Sequence, residues 1–589
     1  MQVHPQSIPS EPDQPGENPG REKTAAARGV SSEAKLARVV VLGAVLLMLA
    51  LKAGLLLAGR VPFNADEAVV ALMARHILGG ARPVFFYGQA YMGSLDAILA
   101  AGGFAIFGQQ VWVIRLVQAL LYAGTLLTTA RLGKQIFGSE WAGALAALLL
   151  AIPTVNVTLY TTVSLGGYGE ALLIGNLILL TSLSLRTRIE AGEPAIGLWL
   201  GWGFLAGLGL WAFGLTLIYS LPAGIYLLVW LVRARRAQKT GENSLDGRAL
   251  AGNIHAGRSL LAGRSLLTGL AGFCLGAAPW LSHAIQNGPG ALLGELGGSA
   301  IAAAEQLPWI NEVFQHILNF LLLGITVLFG LRPPWSPDLL AWPLLPLALI
   351  FWMWVISTIV LAVRKPDAAL PERRLLAGVG VTLILAFLLT PFGADPSGRY
   401  FVPLAIPLAL FAGAALVQMA RRSRWLALAA LAVALGFNLW GTAACALRYP
   451  PGITTQFYPP TQIDHREAAR LIEFLHAQGE MTGYTNYWVA YPLAFLSQET
   501  LIFSPGLPYH LDLRHTSRDD RIPAYTARVA LAPRTAYITT HNPALDGELT
   551  AGFTRLGLTW QEAQIGDYHV FYGLPRPVHP AELEIAGGG

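Results

Sequence analysis

Apolar stretches broken by short basic clusters run from residue 37 to residue 447. Those at 37–59, 111–131, 139–157, 168–186, 195–211, 213–233, 263–285, 339–363, 374–393, 398–418 and 425–447 approach or exceed the ~20 residues that cross a bilayer as a helix. The apolar stretches at 91–107 and 312–331 fit less simply. Each, counted as a span, would put basic clusters on opposite sides of the membrane. The first is therefore expected as an interfacial helix and the second as a re-entrant or surface helix. The pattern predicts a polytopic α-helical protein of about 11–13 spans. From Tyr449 the period changes. Asp464–Gln478 and Tyr487–Ser497 read as helices; Thr482–Thr485, Thr500–Phe503, Arg528–Ala532, Ala536–Thr540 and Tyr568–Tyr572 read as strands. A small α/β domain over 449–577, with a tail over 578–589, is expected outside the membrane.

Of the 589 residues, 54% are hydrophobic and 13% charged. That charge content is about half the soluble norm. The net charge of +5 is small, and its cations lie between apolar runs. They read as topology signals, with no nucleic-acid partner implied. The clusters Arg131/Lys134, Arg186/Arg188, Arg233–Lys239, Arg364–Arg374 and Arg421–Arg424 place the N-terminus in the cytoplasm and the C-terminal domain outside it. Residues 1–36, rich in Pro, Gly and Ser, read as a disordered cytoplasmic tail. The two cysteines lie in apolar runs and imply no disulfide. No P-loop, GxSxG or His/Cys cluster is present.

The first long loop, 60–110, is not polar filler. Asn64-Ala65-Asp66-Glu67 opens a helix as a capping box. The helix dipole favours Asp66 there by about 0.3–1 kcal/mol. Capping alone accounts for such a pair. Yet apolar helix faces would seat the loop on the bilayer, where Asp66 could take a proton from an acceptor hydroxyl; Glu67 stands beside it as a second catalytic candidate, expected mainly to hold the helix that presents Asp66. Lys52 interrupts the first span; it either snorkels toward Arg60 or meets a phosphate or carboxylate inside the bundle. Tyr87, Gln89 and Tyr91 in the aromatic stretch, Asp96 in the next helix, Glu170 after Gly166-Gly167-Tyr168-Gly169, and Arg399-Tyr400 in a tight turn complete the substrate-binding candidates. Arg399 can bind phosphate bidentately, or with Tyr400 anchor the interface. The run Tyr484–Tyr491 could line a sugar or acceptor groove, or be a packed strand–helix junction.

Asp66-Glu67, the stretch Tyr87-Gly88-Gln89-Ala90-Tyr91-Met92-Gly93-Ser94-Leu95, then Ile106-Phe107-Gly108, Val113-Ile114-Arg115-Leu116 and Ser397-Gly398-Arg399-Tyr400-Phe401-Val402-Pro403-Leu404 occur in an order that resembles the GT-C membrane glycosyltransferases. Within them the chain is similar to the protein O-mannosyltransferase, lipid A aminoarabinose transferase and Rgt-like, family 39-like groups. The resemblance covers roughly residues 37–450. It implies a polyprenyl-phosphate sugar donor, an extracytoplasmic acceptor (lipid, glycan or protein) and inverting displacement. Asp66 would be the base, with Arg399 and Lys52 near the departing lipid phosphate. Some such enzymes need a divalent metal. With one acidic pair and no second acidic cluster, none is expected here, nor any other cofactor. The alternatives are a flippase or transporter of lipid-linked glycan, and a polymer ligase.

Overall fold

The computed structural model describes residues 19–240, 257–297, 308–395, 397–448 and 451–585. Among them eight helices are long and apolar enough to cross a membrane, nine if a pair bent by 72° at Arg264–Gly276 and Ala278–Asn287 is one span. The eight include Trp309–Leu328, which the charge pattern had made a re-entrant or surface helix. Of the other expected spans, the one at 139–157 breaks into α5 (Glu140–Ala151) and α6 (Val155–Tyr160), on either side of Pro153, which cannot donate to a helix ladder. That at 195–211 is the 17-residue α8 (Ile196–Ala212). That at 374–393 is Leu370–Leu389, which carries Glu372, Arg373 and Arg374 in its first turns.

Short or interrupted helices persist where neighbouring helices cover them. Residues Ala142–Ala147 of α5 are mostly buried. Helix α8 lies against Gly257–Gly276 through Gly203, Gly207, Gly272 and Gly276. A Cβ added at Gly203 would sit 1.9 Å from the Gly269 carbonyl. Two small-xxx-small stripes thus bring the backbones together, the usual glue where no hydrophobic effect acts between helices in lipid.

Pro19–Leu57 forms one helix, α1. Of the tail expected over 1–36, residues 1–18 lie outside the described part and Pro19 onward is already helical. After α1 come α2 (Ala65–Leu78), a hairpin of β1 (Phe85–Phe86) and β2 (Gln89–Gly93), α3 (Leu95–Phe107) and α4 (Val111–Phe137). Helix α3 has 13 residues and is too short to cross at 1.5 Å per residue. Helix α7 spans Tyr168–Ala191.

The C-terminal domain carries a five-stranded sheet of β3 (Thr482–Tyr484), β4 (Ile502–Ser504), β5 (Ala536–Thr540), β6 (Gln561–Ile565) and β7 (Tyr568–Tyr572), in the order β4-β3-β5-β7-β6. The first three are parallel and the last two antiparallel to their neighbours. The strand expected at Arg528–Ala532 is instead the end of a helix, Pro523–Ala530, whose Tyr525 and Val529 are buried four residues apart on one face. Of the tail expected at 578–589, residues 586–589 lie outside the described part. The rest packs: Val578 and Leu583 are buried, and the Val578 carbonyl accepts from Tyr537 at 2.8 Å.

The helix Tyr487–Leu496 joins the two regions. It is apolar along its length, and all of its residues but Trp488 and Leu496 are buried. Phe495 meets Phe63 at 5.7 Å and Phe104 at 6.0 Å between ring centres, and the Arg75 guanidinium lies 4.6 Å over its ring. Glu499 accepts hydrogen bonds from Tyr525 (2.6 Å) and His76 Nε2 (3.0 Å), tying α2 to the C-terminal domain.

Candidate functional site

Asn64 caps α2, its side-chain oxygen accepting from the Glu67 N–H at 3.0 Å. The first turn therefore starts where the capping signal placed it. Consecutive residues on a helix point about 100° apart, so Asp66 and Glu67 diverge. Glu67 is fully buried and meets Arg115 through two bonds of 2.9 Å. The same guanidinium donates to the carbonyls of Val61 (3.1 Å) and Pro62 (3.2 Å). Glu67 thus anchors the chain entering α2, and it does not line the cavity.

Asp66 faces the other way, into a cavity of about 300 Å³ between the helical region and the C-terminal domain. Its Oδ1 accepts from the Tyr487 hydroxyl at 2.5 Å. Burial, and then the Asp66 charge, raise the Tyr487 phenol well above the usual tyrosine value, so tyrosine is the donor. Arg399 lines the same cavity. It is not the unpaired cation its sequence surroundings suggested: Asp395, four residues earlier, holds it at 2.5 Å. The hairpin adds Gln89 and Tyr91. With the Gln89 amide turned to satisfy its neighbours, its oxygen accepts from Arg521 at 2.7 and 3.0 Å and its nitrogen donates to Tyr91 at 3.2 Å.

Tyr400 stands at the next cavity, about 200 Å³ in volume. That cavity shares Tyr91 with the first and is walled by apolar side chains such as Leu217, Leu221, Leu383 and Phe387.

The other sequence candidates lie elsewhere. Lys52 is buried, its ammonium donating to the Thr161 carbonyl (2.6 Å) and to the hydroxyls of Thr161 and Thr162 (2.8 Å each), 4.9 Å over the Tyr122 ring. It neither snorkels to the surface nor meets a carboxylate. Tyr87 bonds His76 at 3.2 Å. Asp96 accepts from Gln118, Ser164 and the Gly166 N–H at 3.0, 2.7 and 3.0 Å, which pins the loop before α7. Glu170 is 2% exposed, and its oxygens have no hydrogen-bond partner among the described residues. None of these four lines the Asp66 cavity.

Sequence reasoning missed Asp395, Asp519 and Arg521, which do line it. The run Arg518-Asp519-Asp520-Arg521 was a visible charge cluster, but nothing local tied it to a loop more than 400 residues earlier. Tyr487 and Trp488 fall in the aromatic run already singled out. Among the described residues no group of three or more His, Cys, Asp or Glu side chains is placed to hold a metal.

A family model described as dolichyl-phosphate-mannose-protein mannosyltransferase matches residues 93–245. No curated protein sequence gives a significant match. The structure resembles that of ArnT from Cupriavidus metallidurans bound to undecaprenyl phosphate, at 15% identity and a TM-score of 0.55, over 91% of this chain and 99% of that one. The apo form of the same protein matches at 14% and 0.54, over 93% and 98%. The apo oligosaccharyltransferase of Archaeoglobus fulgidus matches at 13% and 0.50, over 86% of this chain and 69% of that one. The chain has the GT-C fold.

Proposed function

We propose that this protein is an integral-membrane glycosyltransferase that moves a sugar from a polyprenyl-phosphate donor to the hydroxyl of an extracytoplasmic acceptor. The observation that carries the reading is one cavity holding a carboxylate, Asp66, and a guanidinium, Arg399, next to an apolar cavity reached past Tyr91. The apolar cavity suits the first prenyl units and Arg399 the phosphate, leaving the sugar before Asp66. The acceptor oxygen attacks the anomeric carbon. Its proton passes to Asp66. The bond from that carbon to the phosphate oxygen breaks, and its electron pair leaves on polyprenyl phosphate, whose charge Arg399 offsets. A single displacement of this kind inverts the anomeric centre. Tyr487 occupies one Asp66 oxygen and leaves the other for the acceptor.

Charge supports an extracytoplasmic site. Tyr168 and Arg399 stand at the opposite ends of their helical segments from Arg188 and Arg421, and Asp66 follows the end of α1 remote from Arg38; basic ends face the cytoplasm. The fold supports the donor class, since the ArnT relative is described with undecaprenyl phosphate bound.

Incubation of the purified protein with a panel of undecaprenyl-phosphate sugars, water standing in for the acceptor hydroxyl, should release undecaprenyl phosphate and free sugar from at least one. Asp66→Asn should slow release by ~10²–10⁴-fold, the range of general-base contributions. Release by the variant at the wild-type rate would remove Asp66 from the chemistry. Movement of intact donor across vesicles with no release from any donor would favour the transporter reading.

A further inference from the structure

We propose that the wall of the cavity supplied by the C-terminal domain is an acceptor subsite for a neutral saccharide, with Tyr458, Trp488 and Tyr509 as the platform for a sugar ring. This rests on the transferase reading and names the acceptor class for it.

The three rings adjoin one another: Trp488 and Tyr509 centres lie 6.2 Å apart nearly edge-on, Tyr458 and Tyr509 6.2 Å apart. Tyr458 is 46% exposed, which leaves part of its ring open to a ligand. A pyranose has two C–H faces and a rim of hydroxyls. Aromatic faces bury the first, and a few placed polar groups fix the second. The polar groups are at hand. The Trp488 indole N–H, the Thr455 hydroxyl and Arg521 Nε are buried with no hydrogen-bond partner among the described residues. An unmet buried donor is costly and calls for a partner. Burial lifts the Asp519 carboxyl to about 7, so near neutral pH it can either donate to or accept from a hydroxyl.

The same wall disfavours an anionic acceptor. Arg521 is already engaged by Gln89 and by the Gly88 carbonyl at 3.3 Å, and it lies in the field of the Asp66 carboxylate. The cavity's two cations, Arg399 and Arg521, share it with Asp66, Asp395 and Asp519, so its lining has no surplus positive charge for a second phosphate beside the donor's. On this platform a hydroxyl of the acceptor sugar bonds to the donor's anomeric carbon. The anomeric bond to phosphate breaks with its electron pair on the lipid, and the hydroxyl proton goes to Asp66.

The test uses the full chain in lipid nanodiscs. Saturation-transfer NMR is run with methyl hexopyranosides and methyl pentopyranosides, without donor. Transfer assays with undecaprenyl-phosphate sugars then offer the same glycosides in competition with a Ser/Thr peptide. At least one glycoside should receive saturation at its ring protons and become glycosylated. Trp488→Ala should raise the acceptor KM at least tenfold with a smaller change in kcat, and Trp488→Phe should recover part of the loss. Tyr458→Ala, at a half-exposed ring, should weaken the same saturation signals without endangering the fold. Glycosides that never bind, transfer to the peptide alone, or a Trp488→Ala variant that raises the donor KM instead would each overturn the subsite. Bound glycosides with no lipid phosphate released from any donor would support the subsite while removing the transferase reading.

Discussion

Arg115→Met tests whether the acidic pair of α2 is divided between chemistry and anchoring. The substitution removes two 2.9 Å bonds to Glu67 and two bonds, at 3.1 and 3.2 Å, to the carbonyls of Val61 and Pro62. Methionine fills much of the volume, so the loss is electrostatic rather than a cavity. Glu67 is fully buried and becomes an unpaired charge. Breaking a buried pair from one side costs ~3–5 kcal/mol. The double variant Glu67→Gln/Arg115→Met leaves no buried charge and should recover about 2–3 kcal/mol of that, a coupling within the range for contacting residues. Denaturant titration in mixed micelles, read by tryptophan fluorescence, measures both. Activity provides the second axis. Because Glu67 holds the helix and Asp66 carries the proton, the folded double variant should still release undecaprenyl phosphate, within about tenfold of wild type, a loss below the ~10²-fold floor of a general base. Destabilisation by Arg115→Met of under ~1 kcal/mol, no better than a surface pair, would refute the anchoring argument. A folded but inactive double variant would return Glu67 to the chemistry.

Glu499 gives a pH signature of domain docking. The His76 bond above all, with Tyr525 and Arg75 behind it and burial opposing, holds its carboxyl down at about 2. A depressed acid contributes stability that is full above its ordinary value near 4.5 and is lost as pH falls from there toward 2. Thermal midpoints taken across that window should fall more steeply for wild type than for Glu499→Gln; equal slopes would mean that the latch contributes nothing. Lys52→Met should lower the thermal midpoint, because the ammonium ties α1 to Thr161 and Thr162. The donor KM should stay within about threefold of wild type, less than the loss of one charged hydrogen bond to substrate would produce. A collapse of donor binding would show that Lys52 reaches the phosphate after all.

The sequence by itself determined the membrane class, the capped start of α2 and the change to an α/β pattern in the C-terminal region. Each of these is local: run length against bilayer thickness, a polar cap three residues before a carboxylate, a change of hydrophobic period. It also marked Asp66, Gln89, Tyr91 and Arg399, because polar residues at the ends of apolar segments are few and their order carries a family resemblance. Tertiary structure decided the rest. Whether a buried cation meets threonines, as Lys52 does, or a carboxylate, as Arg115 does, depends on the facing helix, which no local pattern encodes. Whether a 12-residue apolar helix such as α5 spans lipid or hides behind neighbours depends on packing through small residues. And the cavity closes only when the Tyr487 helix docks on α2, bringing Tyr487, Asp519 and Arg521 to a carboxylate more than 400 positions away. The chain fixes which groups are available to the site; the close approach of two distant surfaces fixes which of them share it.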